Sequence, residues 1–309
     1  MAFGELPSPG QAAVEDLDAR GYHLFPEPLD ARAAAELHRA LCATRGFDEG
    51  LFLSEAAFDA NPQHRGVNPC PGRNLLERFA DRLGFVEAAP QVQAALAAVL
   101  GPDYRLLDRK VVCGVPERSI PEWIRRRIAG NPVNNLGPYI RPEFRDVTYF
   151  YGIDFHQDLI DYKARAADFI TLYVYLHPVT ASDAPLFVLE ESHSLGGAVF
   201  PHDLTRIGEG RWLYRNGAAG AVEARQVVLT GAAGFAAMWH ACTLHGTQPD
   251  AADSERISLR YIFERGASPA AGIDRVNGRL RGPLGLADTR VDLAQDGAAA
   301  IKRNAVNQA

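Results

Sequence analysis

The 309-residue chain has no long run of basic residues, and its formal net charge is −6. That argues against a nucleic-acid binder held by phosphate contacts. No stretch of about 18 apolar residues occurs, so no membrane span is expected. The opening, Met-Ala-Phe-Gly-Glu-Leu-Pro-Ser-Pro-Gly, lacks a basic segment followed by an apolar one. No secretion signal is therefore expected, and the protein reads as cytoplasmic. Cysteine is scarce and scattered, at positions 42, 70, 113 and 242. No CxxC spacing appears, which fits free thiols in a reducing compartment and gives neither a zinc framework nor a disulfide framework. GxGxxG and GxxxxGK[ST] are both missing, which removes dinucleotide and P-loop sites. HxH and HExxH are missing too, so the usual hydrolytic zinc patterns are not present.

What is there is a sizeable apolar fraction, 47%, enough for an ample core. No repeat and no linker divides the chain, so residues 1–309 read as one domain. Helical patterns come first, over 13–101: one from Ala13 to Gly21, one capped by Asp30 over 31–44, one near 75–83 and one over 90–100. Residues 46–74 read as irregular. Short β-type segments follow over about 104–264, at 104–115, 147–151, 169–176, 186–189, 226–229, 234–239 and 257–264. No βαβ alternation appears. The expected fold is mainly β with flanking helices, built on a double-stranded β-helix or jelly-roll core. Residues 116–146 form a long insertion with a short helix, expected to act as a lid. Residues 198–224 read as loops, and the tail, 265–309, has an Ala-rich stretch near 293–305 that suits a helix.

The stretch Phe155-His156-Gln157-Asp158-Leu159 follows the β-type run Val147–Tyr151. Alternate residues of a strand share a face, so His156 and Asp158 point the same way. Two histidines and one carboxylate on one octahedral face suit non-haem Fe(II), because three positions stay open. HxD alone also arises by chance. The third ligand is expected from His245, 87 residues after Asp158. Taken alone, His245 could equally be a satisfied buried histidine.

Arg256 follows His245 by 11 residues and opens the next β-type run. If those strands are antiparallel neighbours, Thr247 and Arg256 come close together. A planar guanidinium and a hydroxyl would then receive a carboxylate. A surface ion pair is the alternative for Arg256. Arg260, 15 residues past His245, is the rival arginine. Thr171, Tyr173 and Tyr175 share one face of the 169–176 strand, which suits either a wet cavity or solvent. Lys110 sits within the 104–115 strand, either at a solvated edge or as an anchor for an acidic group.

Taken in order, these motifs resemble the phytanoyl-CoA dioxygenase-like branch of the Fe(II)/2-oxoglutarate oxygenases. The likeness runs over roughly residues 14–264. It rests on Leu17-x3-Gly21-Tyr22-x2-Phe25-Pro26, on His156-Gln157-Asp158, on Leu186–His193, and on His245-Gly-Thr247 with Arg256. Glu191 stands where that family usually has glycine.

The resemblance implies that His156, Asp158 and His245 bind Fe(II). It implies that Arg256 and Thr247 hold the far carboxylate of 2-oxoglutarate, with Lys110, Tyr139 and Tyr173 as looser carry-overs. O2 would be the oxidant, and an unactivated C–H bond of a small, polar metabolite the target. A carboxylate at position 158 implies oxidation rather than halogenation. A His/Asp metal hydrolase and a non-catalytic jelly-roll binding protein are the alternatives. Arg125, Arg126, Arg127, Arg141 and Arg145 on the insertion form either a solvated helix face or a cationic rim for an anionic substrate.

Overall fold

The computed structural model describes residues 8–62, 73–248, 252, 254–269, 271–294 and 298–303. In chain order its elements are α1 (Pro9–Arg20), β1 (Tyr22–Leu24), α2 (Ala31–Cys42), α3 (Glu55–Ala60), α4 (Gly84–Glu87), α5 (Pro90–Leu100), β2 (Arg105–Gly114), α6 (Glu122–Ile128), β3 (Val133–Asn135), β4 (Thr148–His156), β5 (Phe169–Tyr175), β6 (Leu186–Leu189), β7 (Asp203–Gly208), β8 (Arg211–Arg215), β9 (Ala221–Leu229), β10 (Ala236–His240), β11 (His245–Thr247), β12 (Arg256–Glu264) and α7 (Gly272–Asn277). The strands run β1-β10-β5-β12-β2-β4-β11-β6-β9-β8-β7, with β3 attached to β4. Only the β2–β4 pair is parallel among the strand pairs described.

The sheet rolls up because its two faces differ in chemistry. On β12, Ile257, Leu259, Tyr261 and Phe263 join the large core beneath the helices, and so do Ile170, Leu172 and Val174 of β5. Their neighbours point into the roll. Tyr173, Tyr175, Val112, Leu186, Val188, Leu229 and Trp239 form a second, interior cluster. Tyr175 closes it, donating to Leu229 O (2.8 Å) and accepting from Leu186 N (3.1 Å) across the roll. The fold is thus a jelly-roll core with flanking helices, and Tyr173 and Tyr175 face its interior rather than solvent.

Helix α2 shows why the helices stay on the outside. Asp30 caps it through Arg32 N and Ala33 N, both 3.0 Å. Leu37 and Leu41, one turn apart, are fully buried. Each such side chain contributes roughly 1.5–3 kcal/mol by leaving water. Helix α1 is tied to a segment late in the chain: Asp18 accepts from Arg275 Nε (2.9 Å), within α7, and from Arg279 (2.8 Å), just beyond it.

Several expectations need correction. Helix α1 starts at Pro9, not Ala13, with Ser8 as its cap. Proline reads as punctuation in a sequence, but at a first helical position it loses no hydrogen bond. Residues 1–7 lie outside the described residues. Within 46–74, Ser54 caps the short helix α3, whose Phe58 is buried; Cys70 and the rest of 63–72 lie outside the described residues. The segment 75–83 forms a 3-10 helix broken at Phe79 rather than an α-helix. Residues 198–224 are not loops: β7, β8 and the first part of β9 form two hairpins. They bury only alternate residues such as Leu204, Trp212, Tyr214 and Ala224, so no long apolar run marks them. The tail carries helix α7. The stretch near 293–305 is not helical where described, with Leu293 paired to Ala299 as an isolated bridge; residues 295–297 and 304–305 lie outside the described residues.

Candidate metal centre

His156 is the last residue of β4, and Asp158 begins the 3-10 turn that follows. Strand β11 lies antiparallel to β4 with His245 directly opposite His156. The two imidazole rings are 4.2 Å apart between centroids. Ligand atoms of His156, Asp158 and His245 all lie within 4.8 Å of one another. Gly246 permits the approach, because a Cβ there would meet Ile153 O at 2.7 Å. Gln157, between the two β4-side residues, points the other way and is fully engaged. Its amide donates to Gly196 O and Cys242 O (both 2.8 Å) and accepts from Ala198 N (2.9 Å). It therefore ties the HxD segment to the approach to His245.

Each candidate ligand is oriented through its other polar atom. His156 Nδ1 lies 3.0 Å from Asp154 O, and His245 Nδ1 lies 3.1 Å from Thr243 O. A ring whose Nδ1–H is given to a carbonyl keeps its Nε2 lone pair for a metal. Asp158 Oδ2 accepts from Thr171 Oγ1 (2.6 Å) and Trp239 Nε1 (2.9 Å). Its Oδ1 faces His245 Nε2 at 3.8 Å and takes an ion pair from Arg260. Burial would raise the Asp158 pKa, but Arg260 and the two imidazoles outweigh it and hold the carboxyl ionised. Burial, reinforced by His245, keeps His156 neutral, and burial likewise lowers His245. Two neutral imidazoles and one ionised carboxylate are the donor set that a divalent transition metal requires. The Arg260 guanidinium beside Oδ1 marks the spot as one that favours positive charge.

Arg256 and Thr247 meet at one carbonyl. Both donate to Ala184 O, Thr247 at 2.8 Å. Arg256 is buried and sits over the Tyr173 ring, 5.9 Å from its centroid. Tyr173 stacks on Trp239, which in turn lies 4.8 Å from His245. A continuous row of side chains thus links Arg256 to the triad. The Tyr173 hydroxyl and Ser258 Oγ are buried there without a hydrogen-bond partner. Such groups are costly to bury unless something bonds them.

A cleft of about 940 Å³ reaches His156. Its walls include Asp108, Lys110, Tyr139 and Asp161, together with tail residues such as Arg290 and Lys302. No residue of 198–224 lines it. Lys110 lies opposite Arg260 in the β2–β12 register. Burial and the Arg260 charge lower its pKa. Tyr139 packs against Phe58 and Trp123, at 4.9 and 5.6 Å, in the cleft wall. The insertion does wall the cleft, but its arginines are mostly engaged locally. Arg127 holds Asp59 (2.8 Å), Arg125 holds Glu122 (2.7 Å), Arg141 donates to Phe52 O (3.1 Å) and Arg145 to Ile140 O (2.7 Å). Glu191 adopts φ 63°, the left-handed region that a glycine would fill without strain.

Sequence reasoning missed Thr171, Trp239 and Arg260 as the residues that hold Asp158. A period-two reading of β12 would have put Arg260 on the same face as Arg256.

No family model matches the chain, and no curated protein matches it. Among solved structures, the epimerase SnoN, determined with Fe3+, alpha ketoglutarate and nogalamycin RO, aligns over 82% of this chain and 82% of its own, with TM-score 0.51 and 15% identity. The non-heme alpha ketoglutarate dependent carbocyclase SnoK aligns over 82% of this chain and 83% of its own, with TM-score 0.47 and 12% identity. EvdO2 from Micromonospora carbonacea var. aurantiaca, complexed with 2-oxoglutarate, aligns over 88% and 97%, with TM-score 0.46 and 13% identity. At this identity, what the chain shares with SnoN is the jelly-roll fold. No helix among the described residues is long and apolar enough to cross a membrane.

Proposed function

We propose that this protein is an Fe(II)/2-oxoglutarate-dependent oxygenase of the phytanoyl-CoA dioxygenase-like kind. It would hydroxylate or otherwise oxidise an unactivated C–H bond of a small, polar metabolite or natural-product intermediate, releasing succinate and CO2. The observation that carries this reading is the convergence of His156, Asp158 and His245, each oriented by a second hydrogen bond. Iron, when bound, supplies O2 activation at the expense of 2-oxoglutarate. The chain's own residues bind and orient. His156 and His245 present Nε2, and Asp158 presents Oδ1 once Arg260 yields it. Arg256 and Thr247, already gathered at Ala184 O, would receive the far carboxylate, and the Tyr173 and Ser258 hydroxyls could donate alongside them. Lys110 and Tyr139 line the cleft from which a substrate would reach His156. Polar residues in its lining, among them Asn74, Asn131 and Asn135, favour a polar substrate. No acid–base residue is needed; holding the substrate carbon in place is the protein's main task.

The ligands of the SnoN structure, Fe3+ and alpha ketoglutarate, held on the same fold, support this reading. The test is anaerobic addition of Fe(II) and then 2-oxoglutarate, followed by a succinate-release screen with product mass spectrometry. A visible charge-transfer band and substrate-dependent succinate are expected. A protein that binds iron but gives neither would instead be a metal hydrolase or a binding protein.

A further inference from the structure

Away from the cleft, three donors of a different kind meet. His38 and Cys42 lie one turn apart on α2, so their side chains share a face. Glu255 arrives from the residue just before β12. Cys42 Sγ is 3.6 Å from His38 Nε2 and 3.7 Å from Glu255 Oε1, and all three ligand atoms lie within 4.8 Å of one another. Around a tetrahedral zinc ion, bonds of about 2.3 Å to sulfur and about 2.0 Å to nitrogen or oxygen place neighbouring donors roughly 3.5 Å apart. The sulfur-to-donor distances here already match that spacing. All three residues are half-buried.

The surroundings brace this group. The His177 ring packs against that of His38, tilted by 34° with centroids 4.7 Å apart. It is not itself a candidate ligand: its Nε2 accepts from Ile257 N (3.0 Å) and its Nδ1 lies 3.0 Å from Pro178 O. It fixes the His38 ring and fastens the same spot to β12.

We propose that His38, Cys42 and Glu255 form a second metal site, for a divalent transition metal of the zinc class, separate from His156–Asp158–His245. A thiolate, an imidazole and a carboxylate are the ligand types that zinc takes in three-ligand sites with water in the fourth position. Binding forms the metal–sulfur bond as the Cys42 S–H proton leaves to solvent, with no change of oxidation state. Burial, with Glu255 adding to it, pushes the metal-free thiol up to about 11, so affinity rises with pH. Occupancy would clamp α2 to the start of β12, one residue from Arg256. The site stands independently of the oxygenase reading.

The experiment is titration of metal-free full-length protein with Co(II) without oxygen, following the sulfur-to-cobalt charge-transfer band in the near ultraviolet. In a His156→Ala/His245→Ala variant one equivalent per chain should develop this band, and the unmutated protein should reach the same amplitude by two equivalents. Cys42→Ser should abolish it with the circular dichroism unchanged, and His38→Ala or Glu255→Gln should weaken binding at least tenfold. Should Cys42→Ser not fold, alkylation of the unmutated protein decides, because zinc should slow Cys42 modification at least tenfold by peptide mass spectrometry. Absence of the sulfur band, its survival in folded Cys42→Ser, or alkylation of Cys42 indifferent to zinc would each overturn the proposal.

Discussion

The His156–Asp158–His245 group and the His38–Cys42–Glu255 group each gather three donors, but they are prepared differently. In the first, both imidazole Nδ1 atoms and one carboxylate oxygen are already held by neighbours on the rolled sheet. In the second, the thiol itself donates to the carboxylate, and helix α2 meets a chain segment rather than a strand. The first is preorganised in its imidazoles and in Asp158 Oδ2, and only Asp158 Oδ1 would have to be released by Arg260. The second must lose an internal hydrogen bond before it can bind. A jelly roll can thus build one site rigid enough for chemistry and, at its edge, another whose assembly depends on what binds it.

The largest expected break in this contrast is His245→Ala. It should remove iron and activity together, to background, while leaving the cobalt–sulfur band of the other group intact. Metal analysis alongside succinate release checks it, and retained iron would show that His245 is not a ligand. Next comes Asp158→Ala in metal-free protein. It leaves the largely buried Arg260 with only Asp108, at 3.9 Å, and breaking a buried pair from one side costs up to about 3–5 kcal/mol. Urea denaturation measures this, and a loss under 1 kcal/mol would mean that the pair is effectively solvated.

The third prediction concerns acid. Burial holds His193 at about 4 and His202 at about 3 in the folded protein. In the unfolded chain each titrates near 6.5. Below about 6.5 the unfolded state therefore binds more protons, so stability is full above that pH and falls as pH drops toward 4. Each fully buried ring should account for about 2 kcal/mol by pH 5. Melting temperature against pH checks it, and a flat profile from 7 to 5 would contradict the burial. Fourth, Arg256→Lys keeps the charge but loses the planar fork, so apparent 2-oxoglutarate affinity should fall about tenfold, or ~1.4 kcal/mol, with iron unchanged. A drop with Arg260→Lys instead would shift the carboxylate receptor to the rival arginine. The smallest effect belongs to Glu255→Gln. In the half-buried group it should change metal-free stability by less than about 1 kcal/mol.

Part of the buried centre was legible: the β-type run marked the strand that ends at His156. The period of two expected to place Asp158 beside it does not apply, because Asp158 opens the 3-10 turn beyond the strand, and that turn brings it near His156 and His245 instead. Thr171 and Tyr173 were correctly read as sharing a face, but that face could not be assigned to solvent or interior before the roll was known. Arg260 was weighed only against Arg256 for the same task. Its actual partner, Asp158, lies 102 residues away, and only the β5–β12 and β2–β12 pairings bring the two together. The hairpins at 203–229 were missed because edge strands bury every second residue and no more. His38–Cys42–Glu255 escaped notice for the same reason as Arg260. The one-turn spacing of the first two was visible, but the third donor comes from 213 residues beyond Cys42.

The tie between α1 and the residues around α7 bears on the order in which the molecule can be made. Asp18 is nearly buried, and its partners are Arg275 and Arg279. During synthesis, the first helix waits beside an unneutralised carboxylate until more than 250 further residues have left the ribosome. Contacts of such long sequence separation close late, because the intervening loop must be ordered before they form. Helix α1 can settle on α5 well before that, as the close approach of Gly10 to Ala94 shows, but its ionic tie to α7 closes late, and a pause before residue 275 would leave Asp18 without either arginine.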